Sequence, residues 1–329
     1  QFKDDFEGKT VLITGGAGFI GSNLARRLVE LGAKVRVIDN LITGHRENIE
    51  DLIGNGLEFI EGDIRDFDTC TKAMIGVDFI SHQAALGSVP RSIEQPLASH
   101  DHNVNGTVNI LCAAVNANIP RVVMASSSSV YGSEETLPKI EYRTGELLSP
   151  YAATKSIGEI YGQTMNEVYG IDVVAMRYFN IFGPRQDPNG PYAAVIPKFI
   201  EILKDGDSPI IFGDGLQSRD FTYVDNAVFA NLSAMVKEGS VGFTCINIAC
   251  GDRLTVIDLV EYLKQSLAKY DSSVTAITPQ LGEERPGDIL HSHANIDKAR
   301  EIFGYRVLVD VQEGIQKTVD WFIKQSTSE

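Results

Sequence analysis

The tightest constraint on this chain is a glycine turn set directly behind a strand. Thr10-Val11-Leu12-Ile13-Thr14 runs into Gly15-Gly16-Ala17-Gly18-Phe19-Ile20-Gly21, and Ser22-Asn23-Leu24-Ala25-Arg26-Arg27-Leu28-Val29-Glu30-Leu31-Gly32 follows with helical spacing. The β-branched run favours an extended strand, and the closing Gly32 suits a helix stop. Glycines at 15, 18 and 21 let the backbone turn sharply and bring a helix N-terminus, with its positive end, close to whatever lies above the strand. A strand joined this way to a helix wants a parallel neighbour.

The rest of the first half supplies the neighbours. Strands are expected at 34–39, 57–64, 78–82, 121–128 and 172–180, with helices at 104–118 and 151–169. Alternating β-branched strands and amphipathic helices predict an α/β fold, a doubly wound parallel Rossmann sheet covered on both faces. After Asn180 the pattern breaks at Gly183-Pro184-Arg185-Gln186-Asp187-Pro188-Asn189-Gly190-Pro191-Tyr192, a loop by its Pro and Gly content. A helix is expected at 194–206. Residues 1–180, with 221–250 returning to the sheet, are read as the dinucleotide-binding domain. Residues 181–220 and 251–329 are read as a smaller C-terminal substrate-binding region.

Charge limits the partners. The 329 residues carry 29 Lys+Arg against 44 Asp+Glu, a net charge of −15, and 43% of them are hydrophobic. That apolar content excludes a disordered chain. The acid excess argues against nucleic acid and against anionic membranes, which recruit basic surfaces. A local cationic pocket for a small anion remains compatible with it. Cysteines at 70, 112, 245 and 250 form no CxxC pair, and no metal centre is expected. The opening Gln1-Phe2-Lys3-Asp4-Asp5-Phe6-Glu7-Gly8-Lys9 does not read as a secretory leader, and the apolar runs are of strand length. A cytoplasmic protein is expected.

The glycine turn has the GxxGxxG spacing of a dinucleotide cradle. The next strand ends at Asp39, where a carboxylate can accept hydrogen bonds from an adenosine ribose and repel a 2′-phosphate, so NAD is expected rather than NADP. Asp63, after the third strand, is placed to meet the adenine or to cap a helix.

Tyr151 and Lys155 stand four apart on one helical face, downstream of Ser126-Ser127-Ser128-Ser129 at a strand end. A phenol that removes a hydroxyl proton near neutrality needs its pKa brought down from about 10. One cation about 4 Å away, at an effective dielectric of ~20, is worth roughly 4 kcal/mol, near three pK units. Lys155 and a positive nicotinamide together are therefore expected to activate Tyr151, and a serine to bridge substrate and phenol.

Together GGAGFIGSN, EGDIRD, the serine run before Val130-Tyr131-Gly132, YAATK and the RYFN-IFGPRQ stretch resemble the extended short-chain dehydrogenase/reductase family. LGSVPRSI (86–93) and RQDPNGPYAAVIPKF (185–199) look like its bacterial UDP-N-acetylglucosamine 4-epimerase branch. The resemblance implies Ser127, or its neighbour Ser128, as the catalytic hydroxyl beside Tyr151 and Lys155. It implies cofactor contacts from Gly15, Gly18, Phe19, Ile20, Gly21, Asp39, Asn40, Asp63, Ile64, Gln83, Ala84, Ala85, Asn103 and Tyr178. On the substrate side it implies Gly87, Ser88, Asn180, Gln186, Val195 and Phe212. Arg219 and Arg285 would clamp a diphosphate, with Asp288 and Ser292 nearer the sugar.

Relatives that dehydrate or decarboxylate nucleotide sugars carry a carboxylate where this chain has Ser128-Ser129, so the resemblance points to NAD-dependent 4-epimerisation of a UDP-N-acetylhexosamine. A small residue at 292 leaves room for a 2-acetamido group where plain-hexose relatives carry tyrosine. The corresponding uronate and the plain hexose stay open as substrates. A non-catalytic dinucleotide sensor would lack Tyr151 or Lys155. Relatives dimerise through two helices per subunit, here 101–117 and 151–169, so a homodimer is expected.

Overall fold

The computed structural model describes residues 1–189, 192–283 and 290–326. Seven parallel strands form the main sheet: β1 (Thr10–Thr14), β2 (Lys34–Asp39), β3 (Leu57–Glu61), β4 (Phe79–His82), β5 (Arg121–Ser127), β6 (Asp172–Tyr178) and β7 (Phe243–Ile248). Their order is β7-β6-β5-β4-β1-β2-β3. The direction of winding reverses between β1 and β4, and a doubly wound sheet opens a crevice at the carboxyl ends of its strands there. Thr14 pairs with Ile38 on one side and His82 on the other, so three strand ends stop at one level.

Strand alternation splits the core in two. Val11 and Ile13 join Leu24 and Leu28 of α1 (Phe19–Glu30) on one face. Leu12 and Ile80 join Ile110 and Leu111 of α2 (Gly106–Asn116) on the other. Each such fully buried Leu or Ile contributes about 2 kcal/mol over an exposed one. The first of these cores runs on without a break through Phe199, Ile211 and Leu259 to Phe322.

The expected elements recur with shifts at their ends. Helix α1 starts at Phe19 rather than at Ser22. The helix expected over 104–118 is longer and irregular: Pro96–His100 passes through a π turn at Asp101–Asn105 before α2 begins. Helix α3 (Pro150–Tyr169) opens where Ser149 accepts the Ala152 N–H at 3.1 Å, with Pro150 in the first turn. It ends at Gly170 in the left-handed region.

The expected return of 221–250 to the sheet needs correcting. Only Phe243–Ile248 pairs there, beside β6. Thr222–Tyr223 instead pairs with Ile181–Phe182 in a separate ladder. Residues 224–235 are helical (α4, Val224–Met235) and lie against one face of the main sheet. Two further small ladders, Ile210–Phe212 with Gln280–Gly282 and Ser218–Arg219 with Leu254–Thr255, complete the second half. Among the described residues no helix is long and apolar enough to cross a membrane. All four cysteines are free thiols.

Candidate active site

The crevice is a cleft of about 540 Å³. Its floor is the glycine turn. Gly15 has φ +70°, and a Cβ there would lie 2.7 Å from the backbone of Ala84. A Cβ on Gly21 would lie 2.2 Å from the Gly15 carbonyl oxygen, so α1 sits against the turn only because residue 21 has no side chain. Gly15, Gly18, Phe19, Ile20 and Gly21 all line the cleft. This is a cradle that leaves backbone and a helix N-terminus facing an anion, and it fits the pyrophosphate of a dinucleotide.

Asp39 sits at the end of β2, 8% exposed, on the cleft wall beside Asn40. It accepts the N–H of Ala17 at 3.0 Å and of Leu41 at 2.9 Å, so it also braces the glycine turn. Burial pushes its carboxyl above the usual range, against the pull of those N–H groups. Ile64 lines the same end. Asp63 does not: Arg65 grips it through Nη2 at 2.8 Å and Nε at 3.0 Å, Asn40 donates to it at 2.8 Å, and its carboxyl is held far below the usual range. Nor does Asp63 cap the next helix, which is Asp66's task.

Gln83, Ala84 and Ala85 follow β4 along the opposite wall, with Tyr178 from the end of β6. Gln83 and Tyr178 are locked from below. Asn231 of α4 donates to the Tyr178 hydroxyl at 2.8 Å and accepts from Gln83 at 3.1 Å and Ser81 at 2.9 Å, while Tyr178 donates to Gln83 at 3.2 Å. Beneath Ala84, His82 accepts from Thr14 at Nδ1 (2.7 Å) and donates through Nε2 to Thr107 (2.9 Å), whose own hydroxyl donates to the Asn103 carbonyl. Burial pulls its pKa down to about 3, so this imidazole is neutral.

The groups expected to carry the chemistry meet between β5 and α3. Ser127, Tyr151 and Lys155 line the cleft together. Lys155 donates to the Ala125 carbonyl at 2.8 Å, and its Nζ lies 5.9 Å from the Tyr151 ring centre. Burial lowers its pKa to about 8, partly opposed by Glu159 one turn further on. Within the chain itself burial pushes the phenol upward, and what pulls it down is the hydrogen bond with Ser127.

The serine run is separated by geometry. Ser126 donates to the buried Glu159 at 2.5 Å, and Glu159 is gripped by Arg177 at 2.7 and 2.9 Å. Ser127 ends β5 and faces Tyr151, accepting from the Ser129 N–H and hydroxyl. Ser128 begins a short 3₁₀ turn and is not on the cleft wall.

Other expected contacts divide in the same way. Gly87, Ser88, Asn180 and Gln186 line the cleft. Asn103 does not. Its amide oxygen accepts the Leu86 N–H at 2.7 Å and its nitrogen donates to the Leu86 carbonyl and to Thr154 at 3.1 Å, so it braces the wall from behind. Val195, Phe212, Arg219 and Ser292 lie off the wall among the described residues. Arg219 donates to the carbonyls of Ser218 and Leu290, and the Ser292 N–H to Ser218. Arg285 and Asp288 fall outside the described residues.

Among the wall residues not foreseen from the sequence are His102, Arg91 and Tyr192. His102, inside the π turn, donates from Nδ1 to the Ala98 carbonyl at 2.9 Å and leaves Nε2 buried without a partner. Arg91 stacks 4.9 Å over the Tyr192 ring, and Tyr192 bonds Glu94, which closes one end of the cleft.

The family model described as NAD dependent epimerase/dehydratase matches residues 11–249. A UDP-N-acetylglucosamine 4-epimerase of Methanobrevibacter ruminantium, solved with UDP-N-acetylmuramic acid, is 40% identical with a TM-score of 0.90, covering 97% of this chain and 100% of that one. A UDP-glucose 4-epimerase of Mycolicibacterium smegmatis is 36% identical over 96% of this chain and 99% of its own length. A UDP-glucuronic acid 4-epimerase of Bacillus cereus, solved with UDP-glucuronic acid and NAD, is 28% identical with a TM-score of 0.85, covering 96% and 99%.

Proposed function

The chain belongs to the NAD dependent epimerase/dehydratase family and is an NAD-dependent UDP-sugar 4-epimerase, and from that premise we propose that its sugar is an N-acetylhexosamine, interconverted between the gluco and galacto configurations. The observation that carries this reading is Gln186. It lies on the cleft wall, its nitrogen donates to the Ile181 carbonyl at 3.3 Å, and its Oε1 is buried without a partner. A buried acceptor left unpaired costs about 1–3 kcal/mol. A 2-acetamido sugar brings an amide N–H for that acceptor, where a plain hexose offers its C2 hydroxyl instead. Incubating the protein with UDP-GlcNAc, UDP-GlcNAcA and UDP-Glc separately and following products by NMR tests it; a C4 epimer from UDP-Glc alone would overturn it.

In the reaction Tyr151 takes the O4 proton as C4 becomes a ketone, with the Ser127 hydroxyl bridging oxygen and phenol. When bound, NAD would supply a hydride acceptor that gives the hydride back, and a positive charge. Lys155 holds a positive charge whose Nζ is 5.9 Å from the Tyr151 ring centre. The 4-keto sugar turns over about its diphosphate link, and Tyr151 returns the proton to O4 on the opposite face. Asn180, with Arg219 and Arg285 by resemblance, keeps the diphosphate fixed while the sugar moves. Val195, Phe212, Asp288 and Ser292 are kept by resemblance on the sugar side, and Asp63 at the adenine.

The uronate is a second reading, favoured by Arg91. Arg91 lies on the cleft wall with its guanidinium over the Tyr192 ring, a cation suited to a C6 carboxylate. The NMR comparison separates the two.

Two further outcomes are expected. Gln186→Ala should raise KM for UDP-GlcNAc about tenfold and leave KM for UDP-Glc within about twofold, which steady-state kinetics with both sugars would check. The rate should fall as pH rises above about 8, because Lys155 loses its proton there. A rate still climbing at pH 10 would remove Lys155's charge from the mechanism. The linked stability runs the other way: with a folded pKa below the free value, the fold gains as pH rises from about 8 toward 10.

We place the enzyme in the cytoplasm as a homodimer. Leu97, Ile160 and Val168 expose 85%, 59% and 64% of their surface on the two helices that would pair. Light scattering should report twice the chain mass.

A further inference from the structure

The loop that carries Gln186 is tied to the dinucleotide-binding helix by one side chain. Asn23, 8% exposed in the second turn of α1, donates from Nδ2 to the Phe19 carbonyl at 2.9 Å and to the Pro184 carbonyl at 3.0 Å. Its Oδ1 accepts from Arg185 Nη2 at 2.5 Å. Phe19 belongs to the helix turn that faces the cleft, and Arg185 precedes Gln186. A path of short bonds therefore runs from the cofactor cradle to the turn that carries Gln186 on the cleft wall.

The loop is also held in a conformation it would not choose alone. Arg185 has φ +67°, in the left-handed region that non-glycine residues rarely occupy, and its Nε is buried without a partner. Strain of that kind persists only where neighbouring contacts over-determine the backbone. The contacts that do so here are those of Asn23.

We propose that Asn23 and Arg185 are positioning residues for the sugar, touching neither ligand: they hold the Pro184–Gln186 turn so that Gln186 keeps its place on the cleft wall. The proposal rests on Gln186 contacting the sugar, as read above. It makes a side chain beneath the cofactor helix a determinant of sugar affinity.

A double-mutant cycle on the NAD-loaded enzyme tests it, using whichever UDP-sugar the unaltered protein turns over best. Asn23→Ala should raise KM about five- to twentyfold with kcat within twofold, and NAD content should stay at one per chain by absorbance. In a Gln186→Ala background the same substitution should add less than twofold, because the acceptor it positions is gone. Additive effects on KM would overturn the proposal, as would loss of NAD with KM unchanged. Should Asn23→Ala fail to fold, Arg185→Gln replaces it in the same cycle with the same two outcomes. If Gln186→Ala alone leaves KM unmoved, the sugar contact itself is wrong. If Gln186→Ala has its effect and the cycle is additive, only the bridge is wrong.

Discussion

Tyr151→Phe is expected to lower turnover about 10³-fold while NAD and UDP still bind. Removal of a positioned general base costs a factor of about 10²–10⁴, and the substitution deletes one oxygen with no change in ring packing. The phenol belongs to a set that is otherwise rigid. Tyr151's own N–H donates to Ser92 at 3.0 Å, and its carbonyl accepts from Thr154 at 2.8 Å. The ring therefore stays in place when the hydroxyl goes, and Lys155 keeps its bond to Ala125. Steady-state rates with a parallel NAD assay decide the matter. Undiminished turnover would remove Tyr151 as the base, and loss of NAD would show that the hydroxyl served binding instead.

Gly21→Ala should produce an enzyme that purifies without NAD. The added methyl would meet the Gly15 oxygen at 2.2 Å and the Gly16 Cα at 2.8 Å, backbone atoms that cannot rotate away. Relief requires α1 to lift from the turn, which withdraws the helix N-terminus from the pyrophosphate. Overpacking of this kind costs about 1–3 kcal/mol, or roughly 10- to 100-fold in cofactor affinity if it falls on the bound state. Gly158→Ala is the control. It lies within α3, with the nearest foreign atom 3.9 Å from the new Cβ, and the better helix propensity should leave stability equal or higher. NAD content of the two purified variants is the measurement, and full NAD occupancy in Gly21→Ala would contradict the steric account.

These residues were legible because their chemistry is local. Strand, glycine turn and helix follow one another within 21 residues, and YxxxK places two groups on one helical face without help from tertiary structure. That the sheet is parallel and doubly wound was likewise legible from strand–helix alternation. The misses have physical causes. Asn103 was expected on the cleft and His102 was not, because the π turn at Asp101–Asn105 inserts an extra residue per turn and rotates the phase of the helix face. Four serines in a row cannot be told apart by composition. What selects Ser127 is that β5 ends there and that Glu159, 33 residues away, has already engaged Ser126. Tyr151's surroundings were not legible either, because a helix spacing fixes neither how deeply a side chain is buried nor which carbonyl its neighbouring lysine will find.

The apolar core that runs unbroken from beneath the first strand to Phe322 bears on how enzymes of this build could diversify. Residues of the sugar-side half, such as Phe199 and Ile211, share that core with Val11 and Ile13 of the sheet. A new sugar preference could not be transplanted by exchanging the second half as a cassette, since the graft would have to match a packed surface on the sheet that it never evolved against. Diversification would proceed through single wall residues and the loops that aim them, leaving the shared interior as inherited ballast.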